Sequence, residues 1–306
     1  MLPNSETENI VQSDPIHVVL CFDHDILPGV HVTMYSARAN TNANIPIHFH
    51  LVTDGVSKAE INRIRETLEI AGANCLVSTY SFAPDKKYSQ FKWIGGYMSY
   101  ARLDLPYLID VEKIIYLDSD LLIRHDLVEL YDFPLNGNPL AASCDHPIGH
   151  CNDRDLFIDL GFSPDEKNYN CGVMLADLKL WAEVNLSKEF YEFATKYARR
   201  LRSADQTVIN GVCYSRITRL PWKFNVQLQA EQNPPRDLTL PGIYHFIGRP
   251  KPWDPGGRLL NKHYAFFDDT VRKTAYRNSV ASLRSWYRAA RSAKAYLKVA
   301  RSFFAR

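Results

Sequence analysis

From His17 to Phe22 the chain reads His-Val-Val-Leu-Cys-Phe, a short apolar run that predicts a first strand. It ends in Asp23-His24-Asp25, and Pro28-Gly29 then opens a helix expected to reach about Asn42. Apolar and polar residues alternate from Ile45 to Thr53, the period of a second strand. Ser57-Lys58-Ala59-Glu60 has the form of a capping box, and Ile61, Ile64, Leu68 and Ala71 fall on one face of the helix it starts. A third strand is predicted from Asn74 to Phe82, and a helix from about Ile94 to Ile109. Next comes Lys113-Ile114-Ile115-Tyr116-Leu117, an uninterrupted apolar strand closed by Asp118-Ser119-Asp120.

Beyond Asp126 the pattern loosens. Leu140 to Asp145 predicts a short strand ending in an acid, and His146 to Asn168 an irregular polar segment. Tyr169 to Leu175 is strand-like, with Asn170-Cys171-Gly172 marking a bend near a ligand. Helices are expected over Leu178–Leu201 and Ala204–Cys213, the second with Asp205 in its first turn. A strand follows over Ile217–Leu220, then a loop over 222–241. The last strand, Gly242–Phe246, delivers His245 and then Gly248-Arg249-Pro250-Lys251-Pro252-Trp253. Alternating strands and helices at this spacing predict an α/β fold with a mostly parallel sheet flanked by helices. Three regions are expected: a disordered N-terminus over 1–14, a catalytic domain over 15–269, and a basic helical segment over 270–306.

Composition adds two constraints. Six cysteines are scattered without Cys-x-x-Cys spacing, the usage of a reducing compartment rather than of a disulfide framework or zinc knuckle. Met1–Asp14 is polar and acidic, unlike a signal peptide, and no apolar run approaches bilayer length, so a cytoplasmic protein is expected. The net charge of +2 hides an asymmetry, because residues 270–306 carry ten Lys plus Arg and no acid. Within that segment Val280, Leu283, Tyr287, Ala290, Leu297, Ala300 and Phe304 recur at helical steps, flanked by Arg284, Arg288, Arg291, Lys298 and Arg301. Such a helix suits an anionic membrane surface better than nucleic acid and predicts peripheral attachment; the plain alternative is a helix docked on the body.

Asp118 and Asp120 are the candidate chemistry. Residues i and i+2 of an extended chain share a side, so both carboxylates converge beyond the carboxyl end of a strand, where open α/β sheets bind ligands. Two hard oxygen donors there suit a divalent cation that keeps positions open for phosphate oxygens. A solvated turn after a core strand is the plain alternative.

An ordered set of motifs carries a resemblance. The set is the strand ending at Asp23, Tyr100-Ala101-Arg102, Tyr116-Leu117-Asp118-Ser119-Asp120, Asn170-Cys171-Gly172-Val173-Met174, Asp205-Gln206, and His245-Phe246-x-Gly248-x-x-Lys251-Pro252-Trp253. Over roughly residues 17 to 255 the chain resembles the retaining glycosyltransferases of family 8, which include bacterial lipopolysaccharide galactosyl- and glucosyltransferases and glycogenin. The resemblance implies a Rossmann-like GT-A nucleotide-sugar fold and transfer with retention of anomeric configuration. It implies Asp118, Asp120 and His245 as ligands of Mn²⁺ or Mg²⁺, the imidazole favouring Mn²⁺. Donor contacts are implied for Asp23, Asp25, Arg102, Ser119, Asn170, Gly248 and Lys251, with Lys251 on the diphosphate. Asp145, Asp205 and Gln206 are implied around the donor hexose and its anomeric carbon. The donor is expected to be UDP-galactose or UDP-glucose, and the acceptor a lipopolysaccharide core or another lipid-linked glycan. His24, and Asp25 where bacterial relatives often have Asn, depart from the family pattern at the base and ribose contacts.

An amide is a poor nucleophile, so Gln206 fits same-face attack better than the covalent route of retaining glycosidases. Self-glycosylation of the glycogenin kind is the rival within the family. A metal-dependent nucleotidyl- or phosphotransferase is the rival outside it, weakened by the lack of a Gly-rich phosphate loop near the first strand. A basic-tailed adaptor without catalysis is a third reading.

Overall fold

A computed structural model describes residues 14–82, 97–228, 237–255, 257 and 263–277, with isolated positions at 290, 293, 296, 297 and 301. Strand β1 (Ile16–Asp23) leads through a short 3-10 turn into helix α1 (Leu27–Asn40), then β2 (Ile47–Asp54), helix α2 (Lys58–Ala71) and β3 (Cys75–Ser81). Ser57 caps α2 in a complete capping box with Glu60. The strand Lys113–Leu117 is β4, Leu121–Arg124 is β5, Leu140–Pro147 is β6 and Lys167–Asp177 is β7. The remaining strands are β8 (Ile217–Leu220), β9 (Val226–Leu228) and β10 (Gly242–Phe246).

Seven strands form one sheet in the order β3-β2-β1-β4-β7-β6-β8, which puts β4 at its centre. Its residues Ile114 to Leu117 are buried, so the uninterrupted apolar run covers both faces. All neighbours are parallel except β7, which runs against both β4 and β6. The reversal follows from the connection: β7 lies beside β6, so the chain between them turns back instead of crossing over. Alternate residues of β1 serve two cores. Val18, Leu20 and Phe22 pack beneath α1 and α2, whereas Val19 lies on the other face with Tyr116 and Met174.

Three expectations are corrected in the connections. The helix expected over Ile94–Ile109 is, among its described residues, two single turns, Met98–Ala101 and Leu105–Leu108, joined by a 3-10 turn at Arg102–Asp104; Pro106 restarts the helix at its first turn. The helix expected over Leu178–Leu201 divides at Asn185, whose φ of 54° is tolerated by an asparagine and ends one helical run before another. The segment His146–Asn168 is not wholly irregular: it holds a short helix at Arg154–Asp159 and the start of β7.

A second, three-stranded sheet runs β5-β10-β9. β5 follows Asp120 directly, and β10 pairs antiparallel to it with His245 opposite Leu121. The later segment 263–277 returns to the body through the helix Tyr264–Val271, and Tyr276 lies buried with its ring 4.7 Å from that of His31 on α1. Among the described residues no helix is long and apolar enough to cross a membrane. The amphipathic stripe expected from Val280 to Phe304 lies outside the described residues apart from isolated positions.

Candidate active site

The carboxyl end of β4 carries the site. Asp118 leaves the large sheet and Asp120 enters the small one, so the two acids sit where the sheets meet. The β5–β10 register places His245 beside them: its Nε2 is 3.1 Å from Oδ1 of Asp120 and 3.7 Å from Oδ2 of Asp118. One donor atom from each of these three side chains lies within 4.8 Å of the others. Two carboxylates and an imidazole within that span are a fitting donor set for a divalent cation of the Mn²⁺ kind.

Each of the three side chains is held by a partner. Nδ1 of His245 lies 3.1 Å from Oδ1 of Asn225, whose amide nitrogen donates to Oδ1 of Asn170 at 2.8 Å. Oδ1 of Asn170 also accepts from the Gly172 amide at 3.0 Å, and the Gly172 carbonyl accepts from the Asp118 amide at 2.7 Å. Tyr116 donates its hydroxyl to Oδ1 of Asp118 at 3.0 Å. Lys251 donates to Oδ2 of Asp120 and, at 2.7 Å, to the Phe246 carbonyl. Burial acts to raise the Asp120 carboxyl, but Lys251 and His245 outweigh it and hold the group well below the ordinary carboxylate range.

Arg102 ties the two halves of the site together. Its Nη2 donates to Oδ1 of Asp118 at 2.7 Å, its Nη1 donates to the Cys171 carbonyl at 2.8 Å, and its Nε stands 2.9 Å from Oδ2 of Asp205. That last contact is a close ion pair, not a directed hydrogen bond, since Nε has no acceptor along its N–H. The guanidinium also lies over the Tyr116 ring, 4.3 Å from its centroid. Burial opposes its charge, but Asp118 and Asp205 raise its basicity further still. Asp205 behaves oppositely: burial pushes its carboxyl up to about 6, against the pull of Arg102 and with the repulsion of Asp118.

The other residues fall around this frame. Asp205 and Gln206 open the helix Asp205–Cys213, after Ala204 at a φ of 51°. The side-chain oxygen of Gln206 accepts from the Cys171 amide at 3.4 Å. Ser119 is buried and its hydroxyl has no protein partner among the described residues. Asp23 ends β1, the neighbour of β4, and accepts the Asp25 amide at 2.9 Å, leaving Asp25 exposed. Gly248 has a φ of 72°, a conformation that favours glycine. Asp145 lies on β6, and its side chain is outside the described residues. Trp253 is buried, its ring centroid 5.4 Å from that of Phe267.

With this geometry in view, the comparisons are specific. The model of the glycosyl transferase family 8 domain matches residues 17–256. The chain belongs to glycosyl transferase family 8. A Haemophilus influenzae relative named for glycosyl transfer is 28% identical over 70% of this chain and 64% of its own length. Glycosyltransferase GlyE of Streptococcus pneumoniae is 27% identical over 78% of this chain and 56% of its own length, so the chain spans only part of these relatives. Among solved structures, the galactosyltransferase LgtC, in complex with donor and acceptor sugar analogues, superposes with a TM-score of 0.72 at 23% identity, covering 85% of this chain and 96% of that one. This likeness establishes the GT-A-like fold.

Sequence reasoning missed Asn225 and the second role of Gly172. Asn225 was part of the loop expected over 222–241, which also contains β9. An Asn after a short aromatic turn carries no local signal of a histidine twenty residues on.

Proposed function

We propose that the protein is a metal-dependent retaining hexosyltransferase that moves galactose or glucose from a UDP-sugar to a glycan, a lipopolysaccharide core or another lipid-linked oligosaccharide. The observation that carries this reading is the convergence of Asp118, Asp120 and His245 from two sheets onto one point. These three would hold Mn²⁺ or Mg²⁺, which, when bound, stabilises the charge that develops on a leaving nucleoside diphosphate. Lys251, beside Asp120, would contact a donor phosphate oxygen, and Gly248 would let the neighbouring backbone approach it. The unpartnered Ser119 hydroxyl is a donor or acceptor for the same ligand. Asp23 and Asp25 lie at the strand end suited to the nucleoside.

Around the sugar, Asn170, Asp205, Gln206 and Asp145 offer directional groups for hydroxyls. In same-face attack the leaving phosphate accepts the acceptor's proton, while Gln206 and Asp205 stabilise positive character at the anomeric carbon. Arg102 keeps Asp205 and Asp118 in place through the paired contacts described above.

The test is hydrolysis of a panel of nucleotide sugars without acceptor, with Mn²⁺, with Mg²⁺ and with chelator. Release of UDP from UDP-galactose or UDP-glucose that depends on the metal is expected; equal turnover in chelator overturns the reading. Intact-mass measurement of the incubated protein separates transfer to a glycan from self-glycosylation. For the tail, attachment to the inner face of the cytoplasmic membrane is the proposal, supported by the ten basic residues of 270–306, seven of them beyond Arg277, and by the interleaved aromatics. Binding to anionic vesicles is compared between the full chain and one ending at Arg277, because Val271, Thr274 and Tyr276 are buried and belong to the body. Equal binding removes the tail from the proposal.

A further inference from the structure

Far from the acids, three histidines meet on one face of the large sheet. His17 and His48 are register partners across the parallel β1–β2 pair, and His50 follows two residues along β2 on the same side. Nδ1 of His17 lies 3.0 Å from Nε2 of His50, and the rings of His48 and His50 stack with centroids 4.1 Å apart. One nitrogen from each of the three rings falls within 4.8 Å of the others. Val19 is level with Tyr116 in the β1–β4 register, so His17 sits four residues below the level of Asp118, or about 13 Å along the strands. The two clusters cannot share an ion.

The surroundings suit ligation. Nδ1 of His50 lies 3.0 Å from the Tyr80 hydroxyl, and Nε2 of His48 lies 2.8 Å from the Ser78 hydroxyl, both on the next strand β3. Each of these rings therefore has one nitrogen fixed by an outer partner, while the other faces the cluster, that of His50 hydrogen-bonded to His17, where an ion would replace the bond between rings; outer partners of this kind orient metal-binding imidazoles. Nitrogens about 2.0–2.1 Å from a tetrahedral ion stand roughly 3.3 Å apart, and the His17–His50 separation is already close to that. Burial lowers all three rings, His50 to about 3; His48 adds to the lowering of His17, and His48 and His17 to that of His50, while Asp14 raises His17. Neutral imidazole is the form that binds metal. His17 and His48 are half-buried, which leaves a way in for an ion and a fourth position for water.

We propose that His17, His48 and His50 form a second metal site, for a borderline divalent transition-metal ion of the Zn²⁺ kind. A set of three nitrogen donors selects such an ion over Mg²⁺ or Mn²⁺, whereas the Asp118–Asp120–His245 set, mostly oxygen, leans the other way. An ion at this place joins β1 to β2 near the amino ends of the strands.

The experiment measures Zn²⁺ and Co²⁺ binding to the metal-stripped full chain by competition with a chromophoric chelator, in the wild type and in D118N/D120N. The carboxylate variant is expected to retain one equivalent of Zn²⁺, to melt higher with it, and to give the visible Co²⁺ band of a four-coordinate nitrogen site. Adding His48→Gln or His17→Gln is expected to weaken that binding by at least about 100-fold, the upper range for loss of an outer partner alone, and to abolish the Co²⁺ band. The proposal is overturned if D118N/D120N binds no equivalent, or if binding is indifferent to both histidine variants. Circular dichroism of the metal-free proteins identifies a misfolded variant, and because His17 and His48 are tested separately, either one carries the test.

Discussion

Gly172 on β7 is in direct contact with the ring of His245 on β10. A Cβ at position 172 would stand 2.2 Å from Cε1 and 2.7 Å from Nδ1 of His245, and 2.9 Å from Oδ2 of Asp118. The ring fits between β7 and the acids only because position 172 has no side chain. Gly172→Ala is therefore expected to push the imidazole off the acids. The Mn²⁺ concentration giving half-maximal donor hydrolysis should rise about 10-fold or more, at an overpacking cost of about 1–3 kcal/mol in denaturant unfolding.

Asn225 acts on the same ring from the other side. Asn225→Ala removes the acceptor at Nδ1 and leaves Oδ1 of Asn170 with one donor fewer. Metal affinity should fall by about 10–100-fold, as for other partners of ligating imidazoles. Calorimetric titration with Mn²⁺ checks this, and unchanged affinity would show that Asn225 does not orient the ring.

Arg102 neutralises a buried acid, Asp205, and a partly buried one, Asp118, at once. Arg102→Ala strands Asp118 and Asp205, and a loss of about 3–5 kcal/mol is expected from breaking a buried pair on one side. Arg102→Lys should recover only part of that loss, because an ammonium cannot reach both carboxylates and the Cys171 carbonyl as a planar fork does. Chemical denaturation of the three proteins gives the ranking directly.

Gln206→Ala is expected to lower turnover while leaving donor affinity within a few-fold. Its amide, as proposed above, acts on the anomeric carbon and not on the nucleotide. Single-turnover transfer together with UDP-sugar titration separates the two effects, and a glycosyl adduct trapped on Asp205 would replace same-face attack with a covalent route.

Acidification should destabilise the fold through His31. The ring is fully buried between Thr67 and Tyr276, and burial, with the nearby charge of Arg63, lowers it from 6.5 to about 3. Between those values the unfolded chain binds the extra proton and the folded one does not, so stability falls as pH drops through this window. The slope is about 1.4 kcal/mol per pH unit. His31→Asn should flatten that part of the curve, measured as denaturation midpoint against pH.

The sequence was most legible where burial was two-sided or the period strict. The central β4 run, the alternation in β2 and the capping box of α2 each have a physical cause within a few residues. The short β5 carries no local signal because three apolar residues after Asp120 have no period of their own and become a strand only when β10 pairs with them. For the same reason the resemblance, not local pattern, put His245 with the acids. The network through Arg102 was hidden too: a guanidinium on a broken helical turn gives no sign that it will face both Asp118 and Asp205.

The antiparallel pairing of β5 with β10 has a bearing on how the protein is made. Leu121 leaves the ribosome well before its partner His245, and domains generally organise from the amino end during synthesis. A nascent chain can thus complete β1 to β4 with both carboxylates in place while still lacking the imidazole and Lys251. On the proposed reading, competence to grip a cation arrives with the final strand, so a translation product that stops short of it would lack the ion-holding centre.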